Sequence, residues 1–250
     1  MVNLPALKNN DQLFLFLLHI IAEKFEGQAV LKGGMVLRLL GSRRKTLDLD
    51  YTFVPYNSKN DILAPIKELF ESIDGLSYEV KVNSKAIRVN LSVGELRSQI
   101  EINVAKELKT EAVSTSSLLD PSMAVVARVI KVMSLDVALA NKLAAWNERR
   151  LLRDLYDIFY FLNTHKLQPD WNTLDNRLSN IESRIPKLRK IKKMSRLEFS
   201  DSLEKELEEL TQSKLETELS GLLETVEMPG LAYKIKDVIG RFVLTIQKKF

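Results

Sequence analysis

Asp48 and Asp50 stand one residue apart in Thr46–Val54, TLDLDYTFV, where polar and apolar residues alternate. Alternation of this kind reads as a strand. Asp48, Asp50 and Thr52 then share one face, and Leu49, Tyr51 and Phe53 the other. Two carboxylates held this close repel each other unless a proton or a cation sits between them. A hard cation such as Mg²⁺ takes oxygen ligands and keeps substrate phosphates in its shell. Upstream, Ala29-Val30-Leu31 reads as a buried strand that Gly33-Gly34 breaks. A short helical run from Met35 to Leu40 follows, and Gly41 ends it. Glycine lets a phosphate approach backbone N–H groups closely, and a helix N-terminus favours anions. Strand, glycine pair, helix, basic loop and DxD strand together point to a site for a nucleoside triphosphate and its metal.

A third carboxylate is available on a later strand. In Arg97–Ala105, Ile100, Ile102 and Val104 face in, while Gln99, Glu101 and Asn103 face out. Further on, Lys142, Arg149, Arg153 and Asp157 are spaced so that one continuous helix would carry them as a polar stripe. Leu143, Leu151, Leu152, Leu155, Ile158, Phe159 and Leu162 supply the buried side. An RDLYD run inside so apolar a helix suggests partly buried, paired charges.

Two stretches carry a resemblance. LKGGMVLRLLGSRRKTLDLDYTF, from Leu31, resembles the first motif of the minimal nucleotidyltransferases, in particular the AbiEii/AbiGii-type toxins. NKLAAWNERRLLRDLYDIFYFL, from Asn141 to Leu162, resembles the second signature of that branch: a Lys, then an Arg, then RDxxD. With Glu101, these motifs cover residues 28–163. The C-terminal third carries no matching motif.

The resemblance implies an α/β fold with a nucleotidyltransferase-type mixed sheet and a helical C-terminal region. It implies transfer of an NMP from an NTP to an acceptor hydroxyl, with two Mg²⁺ ions, or Mn²⁺ instead. In such sites the two ions lie about 3.5–4 Å apart. Asp48 and Asp50 would hold the metals, and Glu101 would complete the site and accept the proton of the attacking hydroxyl. Gly33, Gly34 and Lys142 would hold the triphosphate, with Arg43, Arg44 or Lys45 as helpers. Arg149, Arg153, Asp154 and Asp157 would position that lysine or the nucleotide. One departure stands out: the residue after the second glycine, usually Ser or Thr in such enzymes, is Met35. A hydroxyl contact to phosphate is thereby lost.

The same resemblance implies a toxin with a cognate antitoxin and an RNA acceptor, the tRNA 3′ end for some members. A small-molecule acceptor, as in antibiotic nucleotidyltransferases, is the alternative. A non-catalytic nucleotide-binding interaction protein is the third reading, which Met35 keeps open.

Composition narrows the field. The chain has 250 residues and no cysteine, which excludes disulfides, thiolate metal sites and cysteine catalysis. Its two histidines, His19 and His165, lie in or beside apolar helices and read as structural, which disfavours a histidine zinc site. A formal charge of +4 allows nucleic acid without requiring it. The apolar run Leu13–Ala22 is too short to span a bilayer, and no secretory signal precedes it, so a cytoplasmic protein with no membrane partner is expected.

The remaining pattern gives the organisation. Asp11 is expected to cap a helix from Gln12 to about Glu26. A second helix is expected from Ser58 or Asn60 to about Ser72. Strands are expected over Tyr78–Val82, around Ile87–Val93, over Arg97–Ala105 and over Ala127–Met133. Two domains are expected, residues 1–133 and 134–250. Between residues 181 and 199 the chain is basic, with Arg184, Lys187, Arg189, Lys190, Lys192, Lys193 and Arg196 against Glu182 and Glu198. Such a run can bind a phosphate backbone, and Ile185, Leu188 and Ile191 give it one packing side. The stretch Asp201–Glu227 reverses sign. A last amphipathic helix is expected from Leu231 to about Gln247.

Overall fold

The computed structural model describes residues 4–119, 125–183 and 185–249. The chain forms two compact units, Met1–Ser134 and Leu135–Phe250. The first is built on a mixed seven-stranded sheet and the second is helical.

The first unit opens with helix α1 (Asn10–Phe25), whose apolar residues, among them Leu13, Leu17, Leu18 and Ile21, are buried. Its cap is Asn9, not Asp11. Asn9 keeps extended backbone and its side chain accepts from the Gln12 N–H at 2.9 Å. An N-cap needs non-helical backbone, and Asp11 is already inside the first turn, where it pairs with Arg38 at 2.9 Å. Then follow β1 (Ala29–Lys32), α2 (Gly34–Leu39), β2 (Asp48–Phe53), α3 (Asn60–Glu71), β3 (Ser77–Val82), β4 (Ile87–Val93), β5 (Leu96–Val104), β6 (Thr110–Ser114) and β7 (Val129–Met133).

The sheet order is β3-β4-β5-β2-β1-β7-β6. The pairs β2–β5 and β1–β7 are parallel, and the rest are antiparallel. Leu31, Leu49, Tyr51, Phe53, Val89, Ile100 and Ile102 share one sheet face and are buried. Helix α1 packs on β1 and β5. In β2, β4 and β5 the residues between them point the other way and are polar, whereas Val30 of β1 and Met133 of β7 are buried on that second face. Strands β4 and β5 meet at Gly94-Glu95, where Gly94 takes φ 55, as a two-residue hairpin turn requires.

The second unit contains α4 (Leu135–Arg149), α5 (Leu152–Thr164), α6 (Trp171–Leu178), α7 (Arg196–Glu209), α8 (Gln212–Leu219) and α9 (Leu231–Lys249). Its core includes Trp146, Phe161, Phe199, Leu203, Ile235 and Ile239. Trp146 meets Phe199 edge-on, with ring centroids 6.0 Å apart. Ser195 and Glu198 cap α7 reciprocally as a capping box.

The continuity that would carry Lys142 through Asp157 as one stripe is absent, because two helices share these residues. Arg150 takes a left-handed φ of 55 and Leu151 is extended, so the chain turns between α4 and α5. The Arg150 guanidinium stacks on Trp146 at 4.2 Å, and the Glu218 carboxylate accepts the Leu152 N–H at 2.6 Å, holding both sides of the turn. No described helix is long and apolar enough to cross a membrane.

Candidate active site

The glycine turn is filled by the site's own side chains. Gly33, at the end of β1, takes φ 75, and a Cβ built there would lie 2.1 Å from Asp50 Oδ2. A Cβ on Gly34 would lie 2.8 Å from Arg44 Nη2 and 2.9 Å from Thr46 Oγ1. Both glycines are therefore needed for close approach: one admits the Asp50 carboxylate, the other the Arg44–Thr46 loop. Arg44 is buried and its Nη1 donates to the Lys45 carbonyl at 3.1 Å, which makes it part of the loop's frame. Arg43 and Lys45 are exposed. Met35 is buried in the core, so its side chain belongs to the packing of α2.

The sheet register sets the carboxylates. Asp50 on β2 stands directly beside Glu101 on β5, and Asp48 beside Gln99. All three acidic residues thus lie on the same face of the sheet. Asp48 is exposed, and Asp50 and Glu101 are half-buried. The row continues on both sides: Lys32 on β1 is opposite Asp50, and Arg88 on β4 is opposite Glu101. Arg88 Nε donates to Glu101 Oε2 at 3.2 Å. Lys32 Nζ donates to Asn103 Oδ1 at 3.1 Å in the amide orientation that satisfies both ends of that side chain. Cation, anion, anion and cation therefore succeed one another across four strands. Among the described residues, no three His, Asp or Glu side chains are gathered in metal-binding geometry.

Lys32, Arg88 and Asn103 were not evident as site residues from sequence. Arg88 and Asn103 show up there only as polar members of alternating strands. Their place beside the carboxylates comes from register, which no local pattern states.

In the helical unit, Lys142 and Arg149 on α4 meet Asp154 and Asp157 on α5. Lys142 Nζ lies 2.5 Å from Asp157 Oδ2 and 4.0 Å from Asp154 Oδ1. Arg149 grips Asp154 with two nitrogens, Nε at 3.1 Å and Nη2 at 2.7 Å. The Asp157 side chain is fully buried and that of Lys142 is 17% exposed. Arg153 is exposed and outside this cluster, because the turn at Arg150 rotates α5 out of the register that a continuous helix would give.

The basic segment keeps Lys187, Arg189, Lys190, Lys192 and Lys193 exposed, with Ile185, Leu188 and Ile191 half-buried beneath them. Arg184 lies outside the described residues. Arg196 departs from the expected run. It makes a two-pronged pair with Asp175, both bonds 2.7 Å, and stacks on Trp171, so its charge is spent on packing. His19 is buried against the Thr115 hydroxyl at 3.0 Å, and His165 ends α5.

Residues 15–235 match the sequence model of the family described as nucleotidyl transferase AbiEii toxin, Type IV TA system. The chain belongs to this family. As an AbiEii-family chain it is a nucleotidyltransferase of the toxin side of toxin–antitoxin systems. Solved structures share the fold. MenT4, a nucleotidyltransferase toxin of Mycobacterium tuberculosis, superposes with a TM-score of 0.60 at 19% identity, covering 91% of this chain and 80% of its own. JHP933 of Helicobacter pylori gives 0.54 at 15% identity, covering 98% of this chain and 96% of its own. No curated protein matches the chain.

Proposed function

We propose that this AbiEii-family chain transfers an NMP from an NTP to a hydroxyl of an RNA acceptor, with the tRNA 3′ end as the leading candidate. One observation carries the reading: Asp50 and Glu101 stand in register on adjacent strands, with Asp48 on the same face. The donor set fits a divalent ion. Asp48, Asp50 and Glu101 offer only oxygen, which suits Mg²⁺ or Mn²⁺. A divalent ion bound there supplies Lewis-acid stabilisation of charge developing on phosphoryl oxygens.

The chain's own residues do the rest. Gly33 lets Asp50 stand against the turn after β1, so the carboxylate is fixed by the backbone. Glu101 accepts the proton of the attacking hydroxyl at Oε1, the oxygen not bonded to Arg88. The acceptor oxygen then bonds the α-phosphorus, the bond to the bridging oxygen breaks, and pyrophosphate leaves with the electron pair. In the helical unit, Lys142 is proposed to bind nucleotide phosphate, its ammonium fixed by Asp157 and Asp154. The exposed charges from Lys187 to Lys193 are proposed to bind the RNA backbone, which favours RNA over a small-molecule acceptor. A cognate antitoxin is the protein partner that the family implies.

The test is incubation of the protein with each α-labelled NTP, Mg²⁺ and total tRNA. Label carried into tRNA supports the reading. Label that never enters tRNA but enters a small acceptor overturns the RNA assignment.

A further inference from the structure

We propose that Arg88 is a resident counterion of the carboxylate site: it holds Glu101 when no divalent ion is bound, and a divalent ion must displace it. The inference rests on the metal-binding reading above. Three observations carry it.

First, the register forces Asp50 and Glu101 side by side on β2 and β5. Strand spacing puts their Cα atoms on the order of 5 Å apart. Two carboxylates at that distance repel, and the fold must offset the repulsion whenever no metal is present.

Second, the offset is built into the same row. Arg88 faces Glu101 from β4, and Lys32 faces Asp50 from β1. Arg88 reaches Glu101 through Nε alone, at 3.2 Å. This bond is monodentate and the Arg88 side chain is 51% exposed, so it can be exchanged without unpacking the core.

Third, the carboxylates are not gathered as a ready-made three-ligand set among the described residues. The Arg88 bond gives the reason for Glu101, which is turned along the row toward β4. A divalent ion that recruits Glu101 competes with Arg88 for the same oxygen, Oε2.

A residue that merely orients Glu101 and a residue that competes for it predict opposite signs. Removing an orienting contact weakens metal binding. Removing a competing cation strengthens it. The experiment measures Mn²⁺ binding by calorimetry without nucleotide, for wild type, Arg88→Gln and Lys81→Gln. Lys81 is the control, because it is the next residue in the row beyond Arg88 and pairs with Glu79 at 3.0 Å. Thermal unfolding in EDTA and in Mn²⁺ accompanies it.

Arg88→Gln should bind Mn²⁺ about threefold more tightly or better, the scale of one exposed ion pair. Lys81→Gln should stay near wild type. In EDTA the Arg88→Gln midpoint should fall below wild type, and Mn²⁺ should raise it by more. Binding by Arg88→Gln alone, with none by wild type, supports the proposal as well. Equal or weaker binding by Arg88→Gln overturns it. So does an equal gain in Lys81→Gln, which would mark a general surface-charge effect. Absence of Mn²⁺ binding in both wild type and Arg88→Gln overturns it together with the metal site. Metal uptake by wild type with unchanged affinity in Arg88→Gln overturns the counterion alone.

Discussion

The Asp50 carboxylate lies where a side chain on Gly33 would begin: a Cβ on Gly33 would be 2.1 Å from Asp50 Oδ2. One missing methyl group therefore sets the position of the carboxylate on which the proposed chemistry turns. Gly33→Ala should displace Asp50 and strain a backbone at φ 75, costing about 1–3 kcal/mol. Gly230 has a similar φ of 69 but open space around it. Gly230→Ala should therefore cost only the strain. Urea unfolding and transfer rate, measured on both, should show transfer lost in Gly33→Ala and kept in Gly230→Ala. Equal loss in both would mean that the close approach is incidental.

Lys142 forms a largely buried ion pair with Asp157. Removing it leaves Asp157 buried without its nearest ammonium, and breaking a buried pair from one side costs about 3–5 kcal/mol. Lys142→Met should therefore be markedly destabilised, while Lys142→Met with Asp157→Leu should recover much of the loss. Denaturant midpoints of the two variants and of wild type measure this. A double variant no more stable than the single one would show that the pair is not the source of the cost.

How far the sequence could be read follows from which interactions are local. The run from Ala29 to Phe53 was legible because alternation and a glycine pair are adjacent-residue signals. Strand β6 was not, because TEAVS over Thr110–Ser114 is a half-exposed edge with little apolar contrast. The turn at Arg150 carries no glycine or proline. Its left-handed backbone is stabilised by the stack on Trp146 and the Glu218 cap, and Glu218 lies 66 residues beyond Leu152. That hidden turn is why Arg153 leaves the stripe and Asp157 finds Lys142. Glu101 could be named from its strand and the family motif, whereas Arg88 beside it required the register of β4 on β5.

The basic segment should bind RNA in proportion to its exposed charge. Changing Lys187, Arg189, Lys190 and Lys193 together to Ser should leave the unfolding midpoint and NTP affinity near wild type. RNA affinity should fall, with a shallower salt dependence, since each lost phosphate contact removes up to about 0.9 from the slope of log K against log salt. Filter binding of tRNA across a salt series reads this. An unchanged slope would return the segment to a solvated face and favour a small-molecule acceptor.

His19 gives a pH signature in the sheet unit. Burial, with Arg128 adding, lowers its pKa below the ordinary imidazole value, against an opposing effect of Glu23. The folded state thus favours the neutral ring. The stabilisation is fully present above the unfolded value, about 6.5, and is lost as pH falls through the folded value. Wild type should lose more stability than His19→Gln between pH 7.5 and 5.5, by thermal unfolding. Parallel curves would remove His19 from the account.

Whether the Asp50 carboxylate drives transfer is measured with Asp50→Asn in the transfer assay with α-labelled NTP, Mg²⁺ and tRNA. The substitution keeps the size of the side chain against Gly33 and removes its charge. Circular dichroism should show a folded protein, and transfer should drop by at least about a hundredfold, as loss of an electrostatic stabiliser does. A folded Asp50→Asn protein that transfers label at the wild-type rate at ordinary Mg²⁺ concentrations would contradict the account.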